Sequence, residues 1–173
     1  MKGKLLGLTV LLVAFAGSAL AQTQFSGTLK CGDDKGGVEH TIEVGDHPGH
    51  QLMIGKSTCT YTTPIVIAGL KSITQTGAST TEINGPKGQE QVYAVVAMEN
   101  GDKAYVHAQD TGVITEGGKV ITYHGTFFFT GGTGKLKGLK GKGTYKGSGD
   151  PVGLTTSQIE GEYTLPGATN PGK

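Results

Sequence analysis

The stretch Val120-Ile121-Thr122-Tyr123-His124-Gly125-Thr126-Phe127-Phe128-Phe129-Thr130-Gly131-Gly132-Thr133-Gly134-Lys135-Leu136-Lys137-Gly138-Leu139-Lys140-Gly141-Lys142-Gly143-Thr144-Tyr145-Lys146-Gly147 reads as two β-strands joined by a glycine-rich turn. Side chains alternate across a strand with period two. In the first half Ile121, Tyr123, Phe127 and Phe129 share one face, which reads as core. Val120, Thr122, His124, Thr126 and Phe128 share the other. That second face is mixed, and suits either an outer surface or the lining of an interior cavity. In the second half Leu139, Gly141, Gly143 and Tyr145 face one way, and Lys140, Lys142, Thr144 and Lys146 the other. Leu136 has the wrong parity to join Leu139, and a bulge or bend at Gly138 corrects it. Glycines on an inner face fit a barrel wall that bends or a close approach of neighbouring backbone. The lysines are expected on the solvent side, with Glu160 and Glu162 as partners; an anion or acidic-glycan patch is the alternative.

Outward from this stretch, short runs rich in Val, Ile, Thr, Tyr and Phe alternate with Gly, Asn and Asp, and helical periodicity is hard to find. That is the pattern of an all-β domain. Strands are expected near Phe25–Cys31, Val38–Val44, Gln51–Tyr61, Ile65–Ala68, Ser72–Glu82, Gln91–Met98, Ala104–Thr115, Val120–Thr130, Gly141–Lys146 and Ile159–Leu165, some of them fused or irregular. Glu99-Asn100-Gly101-Asp102 predicts a tight type I′ hairpin, for which Asn-Gly supplies the positive φ angles. Glu116-Gly117-Gly118-Lys119 predicts the next hairpin. Gln91 to Thr130 therefore reads as a three-stranded antiparallel meander.

The chain opens with Lys2 and Lys4, an uncharged run from Leu5 to Ala16, and then Gly17-Ser18-Ala19-Leu20-Ala21. Positive start, apolar centre and small residues before the cut are the parts of a signal peptide, with cleavage expected before Gln22. The run is shorter than the roughly 20 residues a membrane span requires, so residues 1–21 are read as a leader, residues 22–166 as one β-domain and residues 167–173 as a loose tail. The exported product is expected in the periplasm or outside the cell, with no membrane span. Without its leader the chain carries 13 Lys against 14 Asp and Glu, for a net charge of −1, and it contains no Arg. Nucleic-acid binders usually carry a basic surplus and bidentate Arg contacts, so nucleic acid is not an expected partner. Cys31 and Cys59 lack the C-x-x-C spacing of redox pairs. In an oxidising compartment they read as one structural disulfide, with buried free thiols as the alternative.

The order of aromatic strand, Gly131-Gly132-Thr133-Gly134-Lys135-Leu136-Lys137-Gly138, glycine-rich strand and Ile159-Glu160-Gly161-Glu162-Tyr163 resembles the closing strands of allene oxide cyclase-like and dirigent-like barrels. Members of that superfamily share a G-G-T-G-x-[FLY]-x-G-x-x-G-x-G turn near the end of an eight-stranded antiparallel barrel. The likeness covers about Phe127 to Leu165. Gly45-Asp46-His47-Pro48-Gly49-His50, followed by Cys59-Thr60-Tyr61, is similar to a group of bacterial secreted proteins with this barrel. What the resemblance implies is a single antiparallel barrel of about eight strands. It brings no activity, because one fold hosts many functions, and the catalytic residues of the plant enzymes do not map onto positions here.

Candidate chemistry centres on histidine. His47 and His50 with Asp46, and His40 with Glu43 upstream, form a candidate Zn²⁺ or Cu²⁺ site, since imidazole and carboxylate are ligands for both ions. The competing reading is an ordered rim loop around Pro48-Gly49. His107 and His124 fall on adjacent strands of the meander; with Tyr105, Thr122 and Thr126 they are candidate ligand-binding groups in a barrel cavity, or else ordinary sheet surface. No G-x-S-x-G elbow and no P-loop spacing is present, and no cofactor is expected. Asp110 and Glu116 form no recognisable catalytic pair. The sequence thus favours a non-enzymatic exported barrel that binds a small, largely apolar molecule or serves a structural role. The resemblance adds a cofactor-free isomerase, cyclase or dirigent-like guide as the alternative. Oligomeric state is left open.

Overall fold

The structure is a computed structural model that describes residues 22–32, 37–150 and 154–166. The leader and its cleavage site, and the C-terminal tail, lie outside the described residues. The ten strands are β1 Thr23–Cys31, β2 Gly37–Glu43, β3 His50–Thr63, β4 Val66–Ile67, β5 Leu70–Asn84, β6 Lys87–Met98, β7 Lys103–Thr115, β8 Val120–Gly132, β9 Lys140–Gly149 and β10 Thr155–Thr164. Eight of them close into an antiparallel barrel in the order β1-β10-β9-β8-β7-β6-β5-β3, with β3 returning to β1. The two remaining segments do not fuse with their neighbours. β2 lies end to end with β1 along the same edge of β3, Cys31 standing opposite Cys59 and Gly37 opposite Lys56. β4 pairs only with the start of β5.

One parity of every barrel strand points inward. Phe25, Leu29, Cys59, Tyr61, Val96, Ala104, Phe127 and Phe129 are buried, and Ile65, Ile67, Leu70, Met98, Leu136 and Leu139 close one end over them. The Phe25 ring lies 6.2 Å from that of Phe127 and 5.8 Å from that of Phe129, in the tilted arrangements aromatic pairs prefer. The glycine-rich turn behaves as its parity requires. Gly134–Leu136 forms one 3₁₀ turn, Gly138 takes φ +79°, and Leu136 and Leu139 are both fully buried. Asp102 braces this end, accepting from the Lys135 N–H at 3.0 Å and from Asn100 Nδ2 at 2.8 Å.

The inner glycines of β9 face aromatic residues directly across the strand pair. Gly141, Gly143, Tyr145 and Gly147 stand opposite Phe129, Phe127, Gly125 and Tyr123. A methyl group on Gly143 would meet the Phe127 ring at 2.5 Å and clash with the Glu160 carbonyl; one on Gly125 would meet Tyr145 Cζ at 2.7 Å. On the outer side, Lys142 reaches Glu162 at 3.9 Å, while Glu160 accepts from Thr144.

Two hairpins differ in detail from expectation. Asn100 does not take the positive φ that a type I′ turn demands; only Gly101 does, at +87°. Met98 accepts from the Gly101 N–H and donates to the Asp102 carbonyl, which gives a three-residue loop instead. The cause is the Asn100 side chain, whose Oδ1 accepts from the Asp102 N–H. In the next loop Gly117 and Gly118 supply the positive φ angles, at +69° and +73°.

The Cys31–Cys59 bond is formed between directly opposed residues of β1 and β3, 28 positions apart in the chain. It suits an oxidising environment. Reduction is expected to lower unfolding free energy by about 3 kcal/mol through the loop-entropy effect, read from urea melts with and without reductant. Gly143→Ala is expected to cost about 2–4 kcal/mol by overpacking. Gly37→Ala, with nothing within 4 Å of the added methyl, is expected to leave the urea midpoint nearly unchanged.

Candidate functional site

Opposite the packed end, the inner face changes character. Gly55, Ser57, Gly77, Ser79, Gly88, Ala108 and Gly112 stand there as small residues. Met53, Thr81, Glu90, Asp110, Tyr123 and Tyr145 share the same inward parity. Strand pairing places them side by side. Met53 opposes Thr81, Thr81 opposes Glu90, Glu90 opposes Asp110, and Asp110 opposes Gly125, which in turn opposes Tyr145. The absent side chain of Gly125 lets the Tyr145 hydroxyl reach across β8 and donate to Asp110 Oδ2 at 2.5 Å. Thr81 donates to Glu90 Oε1 at 3.4 Å, Tyr123 shares a 2.8 Å hydrogen bond with Ser157, and Tyr61 donates to Gln75 at 3.1 Å.

Asp110 is partly withdrawn from water, which favours its protonated form. Burial pushes Asp110 up to about 6; the Tyr145 hydroxyl opposes that shift and the charge of Glu90 adds to it. The Tyr145 phenol is itself held above its ordinary range, first by burial and then by Asp110. Asp110 therefore keeps its proton to a higher pH than an ordinary carboxylate, a property that clusters at functional sites.

The residues expected to line a cavity lie elsewhere. Tyr105, His107, Thr122, His124 and Thr126 all take the outward parity, because Ala104, Val106, Ala108, Tyr123 and Phe127 occupy the inward one. His107 is stacked on Tyr93 at 4.5 Å and meets Phe128 edge-on at 5.1 Å, forming an aromatic row on the outer wall. Its Nε2 is buried with no protein partner. Thr122, His124 and Thr126 oppose Ser148, Lys146 and Thr144 on β9. An open groove of about 580 Å³ touches His124, Thr126 and Tyr145; another of about 720 Å³ touches His124, Thr126, Glu90 and Asp110.

The sequence reading weighs Asp110 only against Glu116 and does not single out Glu90, although a signal exists. Ala104, Val106 and Ala108 share the parity of Asp110, and Val92, Ala94 and Val96 that of Glu90. A carboxylate that continues an apolar face points inward.

The histidine-rich segment forms the tip of the β2–β3 hairpin. His47 and His50 stack at 4.9 Å, and Asp46 contacts both, with its carboxylate 3.1 Å from His47 Nδ1 and 2.7 Å from His50 Nδ1. The hydrogen bond from His50 holds Asp46 below its usual range, and Asp46 in turn raises His50. His40 is not part of this group. It stands on β2 opposite Ile54, four positions along β3 from His50, or about 13 Å at ordinary strand rise.

No protein-family model matches the chain, and no curated protein is similar to it in sequence. Among solved structures, a pterocarpan synthase dirigent protein superposes with a TM-score of 0.47 and 14% identity, over 89% of this chain and 92% of that one.

The Asp110 shift has a signed consequence. Between about pH 4 and 6 the folded state holds a proton that the unfolded chain has released, so stability falls as pH rises through this window and levels above it. The loss is on the order of 2 kcal/mol once partial exposure is allowed for. Denaturant titrations from pH 3.5 to 8 are expected to show that decline, and Asp110→Asn to remove it.

Proposed function

We propose that this chain is exported through the leader at residues 1–21 and that its barrel binds a small, largely apolar molecule carrying a hydroxyl or similar polar group. One observation carries the reading. Beyond Phe25, Phe127 and Phe129 the inner face carries many small residues, and the hydrogen-bonded Asp110 and Tyr145 stand on that face beside Glu90. An apolar space with a few convergent polar groups is the usual make-up of a small-molecule site. The apolar body of a ligand would lie against the aromatic floor, and its polar group would join the Asp110–Tyr145 hydrogen bond. No cofactor is required for this role.

The second reading is a cofactor-free isomerase or cyclase, or a dirigent-like guide of coupling, as the Gly131–Gly143 motif suggests. It is favoured by Asp110, which burial poises near neutral pH, where one carboxyl can both release and accept a proton.

A thermal-shift screen of small apolar alcohols, phenols and terpenoids tests the proposal. Stabilisation that grows with ligand concentration is expected in the parent protein and is expected to drop at least tenfold in apparent affinity in Asp110→Asn and Tyr145→Phe. A screen in which no compound shifts the transition would leave the structural role standing. Recovery of the bound compound separates the two readings: unchanged ligand favours binding, and a rearranged product favours catalysis.

A further inference from the structure

The tip of the β2–β3 hairpin gathers two imidazoles and a carboxylate within 4.8 Å of one another. His47 Nε2 lies 3.1 Å from Asn84 Oδ1, and His50 Nε2 lies 3.1 Å from Glu82 Oε1. An oxygen acceptor at Nε2 fixes the ring proton there, so the neutral form of each ring presents an Nδ1 lone pair. Both Nδ1 atoms are aimed at the same carboxylate, that of Asp46, at 3.1 and 2.7 Å. With no ion bound, a ring proton bridges His50 and Asp46; a metal ion would take the place of such protons and leave both Nδ1 atoms and the carboxylate as its ligands. A carboxylate or amide oxygen behind each ring is the arrangement that orients metal-ligating histidines.

We propose that Asp46, His47 and His50 bind one divalent first-row transition ion, Zn²⁺ or Cu²⁺, through an Asp46 oxygen and the two Nδ1 atoms. The ligand atoms lie within 4.8 Å of one another, close enough to surround a single ion after a small opening of the Asp46–His50 contact. Two imidazoles with one carboxylate suit these ions and not Mg²⁺ or Ca²⁺, which take oxygen ligands. Three protein donors leave at least one position to water, and the exposure of Asp46 and His47 gives solvent access.

The scaffold is fixed before the ion arrives. Val44 N–H donates to the His50 carbonyl at 3.0 Å, and Asp46 Oδ1 accepts from the His47 N–H at 2.9 Å. The Gly85 N–H donates to the Gly49 carbonyl, joining this tip to the β5–β6 turn that carries Asn84. Glu82 and Asn84 are therefore positioning residues, supplied by β5 to ligands on the β2–β3 tip. Bound metal would staple that hairpin to the barrel wall. This site is separate from the barrel interior, and its test does not depend on a ligand there.

Isothermal titration of tag-free, chelator-treated protein with ZnCl₂, repeated with CuCl₂, tests the assignment. One ion per chain is expected, with a rise in melting temperature and shifts of the His47 and His50 Nδ1 resonances in long-range ¹⁵N spectra. His47→Ala, His50→Ala and Asp46→Asn are each expected to weaken binding at least tenfold, and Glu82→Gln by about 10- to 100-fold with the stoichiometry kept. His40→Ala and His124→Ala are expected to bind like the parent. No uptake of either ion, or uptake unchanged in folded His47→Ala and His50→Ala proteins, would overturn the proposal.

Discussion

The barrel depends on aromatic rings lying across neighbouring glycines. On the inner face of β8 and β9, Phe127, Phe129 and Tyr123 each stand opposite a glycine of β9, and Tyr145 stands opposite Gly125 of β8. Phe25 repeats the arrangement with Gly161 across β1 and β10. A ring that lies over a strand needs its partner to have no side chain, so register is fixed: a slip of two residues would set Phe127 against Tyr145. A slip of one would turn the whole aromatic set outward. The abundant inner glycines thus specify structure, and the bulk they forgo is returned by the rings that cover them. Where the rings crowd together, with Leu136, Leu139, Ile65 and Ile67 beside them, the barrel is closed and dry.

The same exchange creates the opposite end. Tyr145 and Tyr123 are the aromatic residues of the β8–β9 set that lie farthest from the floor, and each brings a hydroxyl that must find a partner. Tyr123 finds Ser157 and Tyr145 finds Asp110. Beyond them the inner face mixes glycine and serine with Met53, Ile83, Ile114 and Ile121. The aromatic cluster fills one end, and Asp110 stands in the mixed part beyond it. Its raised affinity for a proton follows from that position, since burial supplies the largest contribution.

Much of this architecture was legible from parity. The core face of Val120–Thr130, the outward lysines of Lys140–Lys146, the bend that reconciles Leu136 with Leu139, and the meander over Gln91–Thr130 all follow from local alternation and turn chemistry. Alternation says which residues share a face, but which face is inward depends on the bulk of neighbouring strands. That is why Tyr105, His107, Thr122, His124 and Thr126 were read as either lining or surface, and why the structure places them on the outer wall. Asp110 was hidden for a related reason. Its significance comes from Gly125 and Tyr145, far away in sequence and adjacent only in the barrel. His40 shares a strand with the hairpin but not its tip, and no spacing rule separates those two places. The type I′ expectation at Asn100 failed locally, because an Asn side chain that caps its own turn competes with the backbone angles the dipeptide permits.

One edge of β3 is shared between two strands. Its edge toward β1 is covered by β1 near Cys59 and by β2 near Gln51–Lys56. β10 pairs with β1 as far as Cys31, opposite Thr155, and among the described residues no strand pairs with the far edge of β2. All seven β2 residues are exposed, as an element held along one edge must be. The Cys31–Cys59 bond sits at the last pair of the β1–β3 register and holds the two strands together covalently. The β2–β3 tip is held separately, by Gly49 and the two histidine rings against the end of β5. The two attachments are independent: a covalent one closes β1 on β3, and a hydrogen-bonded one seats the hairpin tip on β5.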